Sequence, residues 1–188
     1  LGLEVEEEYG GMGLDFLYST ILCEEMGKIG SLGFYTVVAA NTYLAMNYLI
    51  HAGSPFIKEK YLRPSLAGEM VGSLAMTEPG AGSDLKAIKT TAKLDGDSYI
   101  VNGSKTFISN AYYGDYTVAA VLTEKGMSMM VIDLDAKGVT RTKLDKVGIR
   151  ISDTAELAFD NVRVPKENLL GEEGKGFYYM MESLQVER

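Results

Sequence analysis

The residues best suited to chemistry form one polar run, MTEPGAGSD, at residues 76–84. The run follows a short apolar segment that predicts a β-strand, so Thr77 places a hydroxyl at a strand end. Gly80 and Gly82 remove side chains from the loop, and Ser83 adds a second hydroxyl. Backbone N–H groups in such a turn can converge on an anion. We therefore predict that the loop binds a phosphate-bearing cofactor or substrate.

The run lacks the signatures of two common phosphate-binding loops. A Walker loop has Lys-Ser or Lys-Thr after its last glycine, whereas Ser83 and Asp84 follow Gly82 here. A Rossmann fingerprint has a third glycine where this chain has Leu85. The alternative to a phosphate site is an ordinary turn, in which the Thr and Ser hydroxyls bond their own backbone.

Two further segments accompany this loop. Residues 102–110 read NGSKTFISN, and residues 159–165 read FDNVRVP before NLLG at residues 168–171. In order and spacing, these segments and the polar run resemble those of the acyl-CoA dehydrogenase family of flavoproteins. The resemblance covers nearly the whole chain, and over residues 171–188 it is greatest to the long-chain and isovaleryl branches.

The resemblance implies FAD as the cofactor. In the family, the position of Thr77 bonds the isoalloxazine edge, and that of Ser83 lies by the pyrophosphate and the pantetheine arm. Phe107 and Ser109 lie two apart on one predicted strand, so their side chains share a face, where the family often has Trp and Thr. Without the resemblance, Phe107 would be interpreted as sheet core. The implied cofactor-binding residues are Met76, Thr77, Gly82, Ser83, Phe107 and Ser109.

The resemblance also implies a catalytic base at Glu187. Most family members take the base from a loop near the far C-terminus, but the long-chain and isovaleryl branches take it from the helix position that Glu187 occupies. A carboxylate at the edge of an apolar helix face is partly desolvated, which raises its pKa towards that of a useful base. The alternative is a solvated Glu-Arg pair at a helix end. The implied substrate-binding residues are Ser83, Leu184 and Arg188.

Composition excludes several other classes of function. Of the 188 residues, 46% are hydrophobic and 23% are charged, and the net charge of −8 argues against a nucleic-acid surface, which needs clustered Lys and Arg. Cys23 is the only cysteine, so an internal disulfide is excluded and a reducing compartment is expected. His51 is the only histidine, which excludes a His-rich metal site and leaves little room for a Ser-His-Asp triad.

Apolar spacing predicts helices in the first part of the chain. Residues 14–29 and 31–51 are predicted helices, and Ser54 should cap a third, shorter helix that Pro64 ends or kinks. The second segment contains no Asp, Glu, Lys or Arg, but its Gly, Asn, Thr and Tyr residues favour a buried helix over a membrane span.

From residue 71 the apolar period changes to two, which predicts short strands separated by turns. A turn is predicted at Gly96, and Asn102-Gly103 predicts a hairpin. Further strands are predicted at residues 116–123, 127–134, 141–146 and 154–159. Strands without intervening helices favour an antiparallel barrel or sandwich.

The predicted fold class is α+β. Residues 1–70 form an N-terminal helical domain, residues 71–172 form an antiparallel β-barrel-like domain that binds flavin, and residues 173–188 begin a C-terminal helical bundle. The resemblance implies that the chain is a fragment without most of that bundle. It further implies that this fragment is inactive alone, because in the family the bundle and a neighbouring subunit close the cofactor site.

The implied reaction is FAD-dependent α,β-dehydrogenation of an acyl-CoA thioester, in which a carboxylate removes the α-proton and the β-hydrogen leaves as hydride to flavin N5. The resemblance implies a homotetramer, electron-transferring flavoprotein as the acceptor, and a location in the bacterial cytoplasm or the mitochondrial matrix. One alternative is an acyl-CoA oxidase, a nitroalkane oxidase or a flavin monooxygenase on the same fold. The other is a non-enzymatic module that binds acyl-CoA or a protein.

Overall fold

Helices form the first part of the chain, and a β-sheet forms most of the rest. The computed structural model describes the backbone of residues 1–187 and the side chains of residues 1–183. It confirms the predicted α+β class, with a helical part followed by a mostly antiparallel sheet. The helices are α1 Phe16–Lys28, α2 Leu32–Ala39, α3 Met46–Ala52, α4 Pro55–Ile57, α5 Arg63–Ala67 and α6 Gly176–Glu187.

A π-helical turn over Ala40–Ala45 joins α2 to α3, so the predicted segment 31–51 is one continuous helical rod. Such turns widen a helix and often occur at functional sites. Within this turn the side chain of Asn41 is buried, and its Oδ1 accepts a hydrogen bond from the backbone of Gly72 at 2.7 Å. This bond ties the rod to the first strand. Across residues 1–187, the structure contains no helix long and apolar enough to cross a membrane.

The third predicted helix starts as expected, but it does not end at Pro64. Ser54 caps α4 by accepting a hydrogen bond from the backbone of Ile57 at 3.3 Å. A π-helical turn over Lys58–Leu62 then leads directly into α5, so the helical segment continues through Pro64 with an irregular turn just before the proline. The helix ends before Gly68, whose φ of 78° forms a left-handed cap.

The strands form one sheet that is open at both ends. They are β1 Gly72–Ala75, β2 Thr91–Asp95, β3 Ser98–Ser109, β4 Tyr116–Thr123, β5 Gly126–Asp133, β6 Val139–Lys143, β7 Thr154–Pro165 and β8 Leu169–Leu170. Their order is β6-β7-β3-β2-β4-β5-β8, with β1 attached to β4. Most pairs are antiparallel, but β1 and β2 each pair with β4 in parallel. Among the described strands, β6 and β8 do not pair with each other, so the barrel is not closed.

The predicted hairpin at Asn102-Gly103 is wrong. Strand β3 runs through both residues, and the tight turn lies earlier, at Gly96, between β2 and β3. The pairing of β3 with β7 shifts at this point, which makes it a bulge. A Cβ atom at Gly103 would lie 2.5 Å from the Oγ1 atom of Thr90. Glycine is therefore needed here because Thr90 approaches closely and because φ is 149°, and not because the chain turns.

Both faces of β4 are buried. Val118 and Ala120 join the core between the sheet and the helices, which includes Tyr61. Ala119 and Val121 alternate with them and join a second core formed by residues of β3, β5 and β7. The helical layer therefore covers one side of the sheet, and the sheet curls around the core on its other side.

A partly buried polar network ties the helical layer to the sheet. The Tyr61 hydroxyl donates to Asp133 Oδ1 at 2.7 Å and accepts from Asn168 Nδ2 at 2.9 Å and from Lys60 Nζ at 2.7 Å. Burial raises the pKa of Tyr61 and the Asp133 carboxylate raises it further, so the hydroxyl stays protonated as a donor. Three separate segments of the chain thus meet at one phenol oxygen.

Replacing Tyr61 with Phe tests this network. Tyr61→Phe keeps the ring but leaves the Asp133 carboxylate without its phenol donor. Hydrogen bonds to charged groups contribute about 1.5–3 kcal/mol, so we expect the free energy of unfolding in urea to fall by about that amount. Tyr18→Phe is the matched control, because the Tyr18 side chain is exposed. Equal losses in the two variants would contradict a stabilising role for the network.

Candidate functional site

Four of the predicted cofactor-binding residues line one cavity of about 160 Å³. Met76 and Thr77 follow β1, while Phe107 and Ser109 lie at the end of β3. The rest of the wall is mostly apolar and comes from Ala40, Leu44, Leu74 and Ile108. The cavity therefore lies where the helical layer meets the sheet, and its lining includes two hydroxyl-bearing residues, one aromatic residue and several aliphatic residues.

The backbone of Phe107 is unusual. Its φ of 61° is a left-handed conformation that is rare for an aromatic residue, and its side chain is 69% exposed. The pairing of β3 with β7 shifts between Lys105 and Ile108, so the regular alternation expected for Phe107 and Ser109 is interrupted. Both residues line the cavity, and Phe107 lies within the bulge. Such strain costs about 1–3 kcal/mol and occurs mainly at functional sites.

The other two predicted cofactor-binding residues, Gly82 and Ser83, are exposed in the loop and do not line this cavity. A Cβ atom at Gly80 or Gly82 would meet nothing within 4 Å, and neither glycine has a positive φ. Packing within the described chain and backbone geometry therefore do not require glycine at these positions. The two glycines leave open space in front of the loop backbone, which is what the close approach of a bound group needs.

A buried ion pair, which the sequence pattern did not predict, connects the loop to β3. Lys105 Nζ lies 2.9 Å from Glu78 Oε1, and both side chains are almost fully buried. Burial lowers the pKa of Lys105, against the opposing effect of the Glu78 charge. Burial by itself would raise the pKa of Glu78, but hydrogen bonds from Thr90, Lys105 and Lys89 outweigh that effect and lower the pKa. Charged residues are rarely buried, so the residue types gave no indication of this pair. The only signal in the sequence was that Glu78 and Lys105 each lie within one of the polar motifs.

A larger cavity of about 470 Å³ adjoins the first. Helices α1 and α2 contribute most of its wall, and Ala40 and Ser109 line both cavities. The hydroxyls of Tyr35 and Tyr43 each lie 3.9 Å from the sulfur of Cys23 in this wall. Sequence spacing did not reveal the cavity, because it arises from the packing of two helices against a strand end.

Family models identify the chain. The model of the acyl-CoA dehydrogenase N-terminal domain matches residues 1–69, and the model of the acyl-CoA dehydrogenase middle domain matches residues 73–162. The chain belongs to the acyl-CoA dehydrogenase family. This result confirms the resemblance that the three motifs indicated.

Two curated relatives come from the predicted branches of the family. The chain is 45% identical over 195 residues to the mitochondrial isovaleryl-CoA dehydrogenase of Oryza sativa subsp. japonica, a match that covers 100% of the chain and 47% of the relative. It is 38% identical over 196 residues to the mitochondrial long-chain specific acyl-CoA dehydrogenase of Mus musculus, which it covers to 45% of its length. The chain therefore spans about half the length of the curated relatives it matches.

Solved structures share the fold. An acyl-CoA dehydrogenase from Geobacillus kaustophilus is 47% identical with a TM-score of 0.93, and the match covers 100% of this chain and 51% of that one. An acyl-CoA dehydrogenase from Bacillus anthracis, solved in complex with FAD, is 35% identical with a TM-score of 0.93, covering 100% of this chain and 32% of that one. The family fold is thus present over the whole length of the chain.

The predicted base and its neighbours lie at the limit of the structure. The backbone of α6 includes Leu184 and Glu187, but their side chains, and all of Arg188, lie outside the described residues. Earlier in the helix, Met180 is fully buried in the core between helices and sheet, and Phe177 packs against that core. The first turns of α6 therefore have the expected apolar face, and the role of Glu187 stays a prediction.

Phe107→Gly tests whether the left-handed backbone serves the site and not the fold. Glycine adopts a φ of 61° without side-chain strain, and the exposed ring contributes little packing. We expect urea unfolding of the unliganded protein to show unchanged stability or a gain of up to about 1 kcal/mol. Phe34→Gly is the control, because Phe34 is an exposed aromatic residue inside α2, where glycine costs about 1 kcal/mol. A large loss in Phe107→Gly would mean that the fold requires the ring.

Proposed function

We propose that the complete gene product is an FAD-dependent acyl-CoA dehydrogenase that desaturates an acyl-CoA thioester between its α and β carbons. The observation that carries this proposal is one cavity, in a chain of this family, where Thr77, Phe107 and Ser109 come together at the junction of helices and sheet. No signal in the composition favours the non-enzymatic alternative, and the left-handed backbone and exposed side chain of Phe107 argue against it.

The residues at the cavity fit the ring of a flavin. Thr77 and Ser109 offer hydroxyls to the polar edge of the ring, and Phe107 presents an exposed aromatic face for an apolar contact. Met76, which precedes Thr77 in the polar run, would add a polarisable contact through its sulfur. Because the cavity measures only about 160 Å³, it would receive an edge of the ring while the rest lies against Phe107.

The exposed part of the polar loop fits the other end of the cofactor. We infer that Gly82 and Ser83 face the pyrophosphate, because the space in front of Gly80 and Gly82 is open and Ser83 adds a hydroxyl donor. The Bacillus anthracis relative, which was solved with FAD and matches this whole chain, supports FAD as the cofactor.

The acyl group would occupy the larger cavity between α1 and α2. Its volume of about 470 Å³ lies in the usual range of small-molecule sites, and Phe16, Ala39 and Leu44 give it apolar surface. Its contact with the first cavity through Ser109 would bring the acyl chain next to the flavin edge. Ser83, Leu184 and Arg188 are the proposed contacts to the rest of the acyl-CoA.

Each residue has its own task in this reaction. Glu187, in the last described turn of α6, would accept the α-proton, and a partly desolvated carboxylate is a stronger base for that step. When bound, FAD supplies the acceptor for the β-hydrogen, which leaves as hydride. Hydrogen bonds to the thioester carbonyl would stabilise the enolate-like charge that develops as the proton leaves. The apolar wall formed by Leu44, Leu74 and Ile108 would keep water from the reacting carbons.

The assembly proposed here follows the family. We infer a homotetramer, in which a C-terminal helical bundle starting near residue 173 and a neighbouring subunit close the cofactor site, with electron-transferring flavoprotein as acceptor. The domain boundaries near residues 70 and 172 belong to the same proposal. Both curated relatives are mitochondrial, so a eukaryotic source would place the protein in the mitochondrial matrix and a bacterial source in the cytoplasm.

Anaerobic titration of the complete gene product tests the proposed function. We expect a purified protein that is yellow from bound FAD and loses its flavin absorbance when isovaleryl-CoA or a long-chain acyl-CoA is added. Benzoyl-CoA, a thioester without an α-hydrogen, is the control and should leave the absorbance unchanged. A protein purified without flavin, or one that no acyl-CoA reduces, would refute the proposal. Fast reoxidation by oxygen with release of peroxide would favour the oxidase alternative.

Glu187→Gln tests the assignment of the base. The variant should keep FAD and bind acyl-CoA, because neither needs this negative charge, but flavin reduction should slow by about 10²–10⁴-fold, the usual contribution of a positioned base. Glu182→Gln, on the exposed surface of the same helix, is the matched control and should reduce its flavin at the normal rate. Near-normal reduction in Glu187→Gln would assign the role to a residue that follows Arg188 in the complete protein.

A further inference from the structure

Lys105 and Glu78 form a buried ion pair that the proposed reaction does not use. The side chain of Lys105 is 0% exposed and that of Glu78 is 6% exposed, with 2.9 Å between Nζ and Oε1. Burial makes such a pair costly, and replacing it with apolar residues of similar volume is often neutral or stabilising. Fold stability alone therefore does not account for the presence of two charges at this place.

The remaining hydrogen bonds of the pair reach the segments that form the site. Lys105 Nζ donates to the carbonyl oxygen of Met76 at 3.1 Å. The Glu78 carboxylate accepts from the backbone N–H of Lys89 at 2.6 Å and from that of Thr90 at 3.1 Å. The ammonium thus holds the end of β1, and the carboxylate holds the segment that leads into β2.

The residue after Lys105 extends this arrangement. The backbone N–H of Thr106 donates to the carbonyl of Thr77 at 3.0 Å. Two successive carbonyl groups, those of Met76 and Thr77, are therefore held by two successive residues of β3. Phe107 follows at once with its left-handed φ of 61°. The start of the polar loop and the bulge that presents the ring are thus one hydrogen-bonded unit.

We propose that Lys105 and Glu78 are positioning residues of the cofactor site, which together set the Thr77 hydroxyl against the Phe107 ring. Neither residue lines the 160 Å³ cavity, so the pair would act through the backbone of Met76 and Thr77. The inference rests on the proposed function, because it assumes that FAD binds between Thr77 and Phe107.

The double variant Lys105→Met with Glu78→Gln carries the test. It removes both charges and the donor to the Met76 carbonyl, while the Gln oxygen still accepts from the backbone of Lys89 or Thr90. Lys105→Met alone would leave a buried carboxylate without its partner, which is expected to impair folding. Tyr61→Phe is the matched control, because it breaks a partly buried polar network that does not reach the cavity.

We expect the complete gene product with the double variant to unfold at nearly the wild-type temperature. It should bind FAD about tenfold more weakly or worse, the loss that corresponds to one hydrogen bond, and show a shifted flavin absorbance spectrum and reduction potential. Tyr61→Phe should unfold at a lower temperature and keep the wild-type spectrum and FAD affinity. A folded double variant with wild-type affinity, spectrum and potential would overturn the inference while the proposed function stands. A wild-type protein that does not bind FAD would overturn both.

Discussion

The conformation of the polar loop depends on the ion pair between Glu78 and Lys105. Within residues 79–84 only Ala81 is buried in the core, so the other backbone groups near the loop need polar partners where they are buried. Glu78 supplies several of them, because its backbone exchanges two hydrogen bonds with Ala81 and its carboxylate accepts from Lys89 and Thr90. The Glu78 side chain thus accepts the backbone N–H groups of residues 89 and 90, and Lys105 neutralises the charge of that carboxylate.

Local periodicity predicted most of the sheet, and it failed where two strands carry bulges. The bounds predicted for β4 agree with the structure, because a mostly apolar run, as expected of a strand buried on both faces, is bounded by polar and turn-forming residues. Asn102-Gly103 has the composition of a hairpin turn, but Asn102 Oδ1 accepts from the backbone of Asn161 in β7 at 2.9 Å. Asn161 itself has a φ of 51°, so two irregular positions face each other and both strands continue past them. Partners 59 residues apart cannot be recognised from a dipeptide.

In the candidate site, the sequence predicted which residues come together but not the backbone of Phe107 or the burial of Lys105. The order of the motifs was enough to predict that Thr77 and Ser109 belong to one site, and both residues line the same cavity. A residue after β1 and a residue ending β3 reach the same edge of the sheet. The left-handed backbone of Phe107 could not be predicted, since aromatic residues strongly avoid it and only the surrounding bonds hold it there. Lys105 was equally hidden, because its residue type predicts exposure.

The position of the site follows from the pairing of β1. This strand pairs with β4 alone, so one of its edges has no strand partner among the described residues. The helical rod covers that edge, and Asn41 in its π-helical turn accepts the hydrogen bond of Gly72 that a neighbouring strand would otherwise take. The alanine before it, Ala40, is small enough to leave space between the rod and the strand end, and it lines both cavities. A sheet edge covered by a helix with small side chains therefore creates a cavity just where the polar loop begins, without interrupting the core on either side.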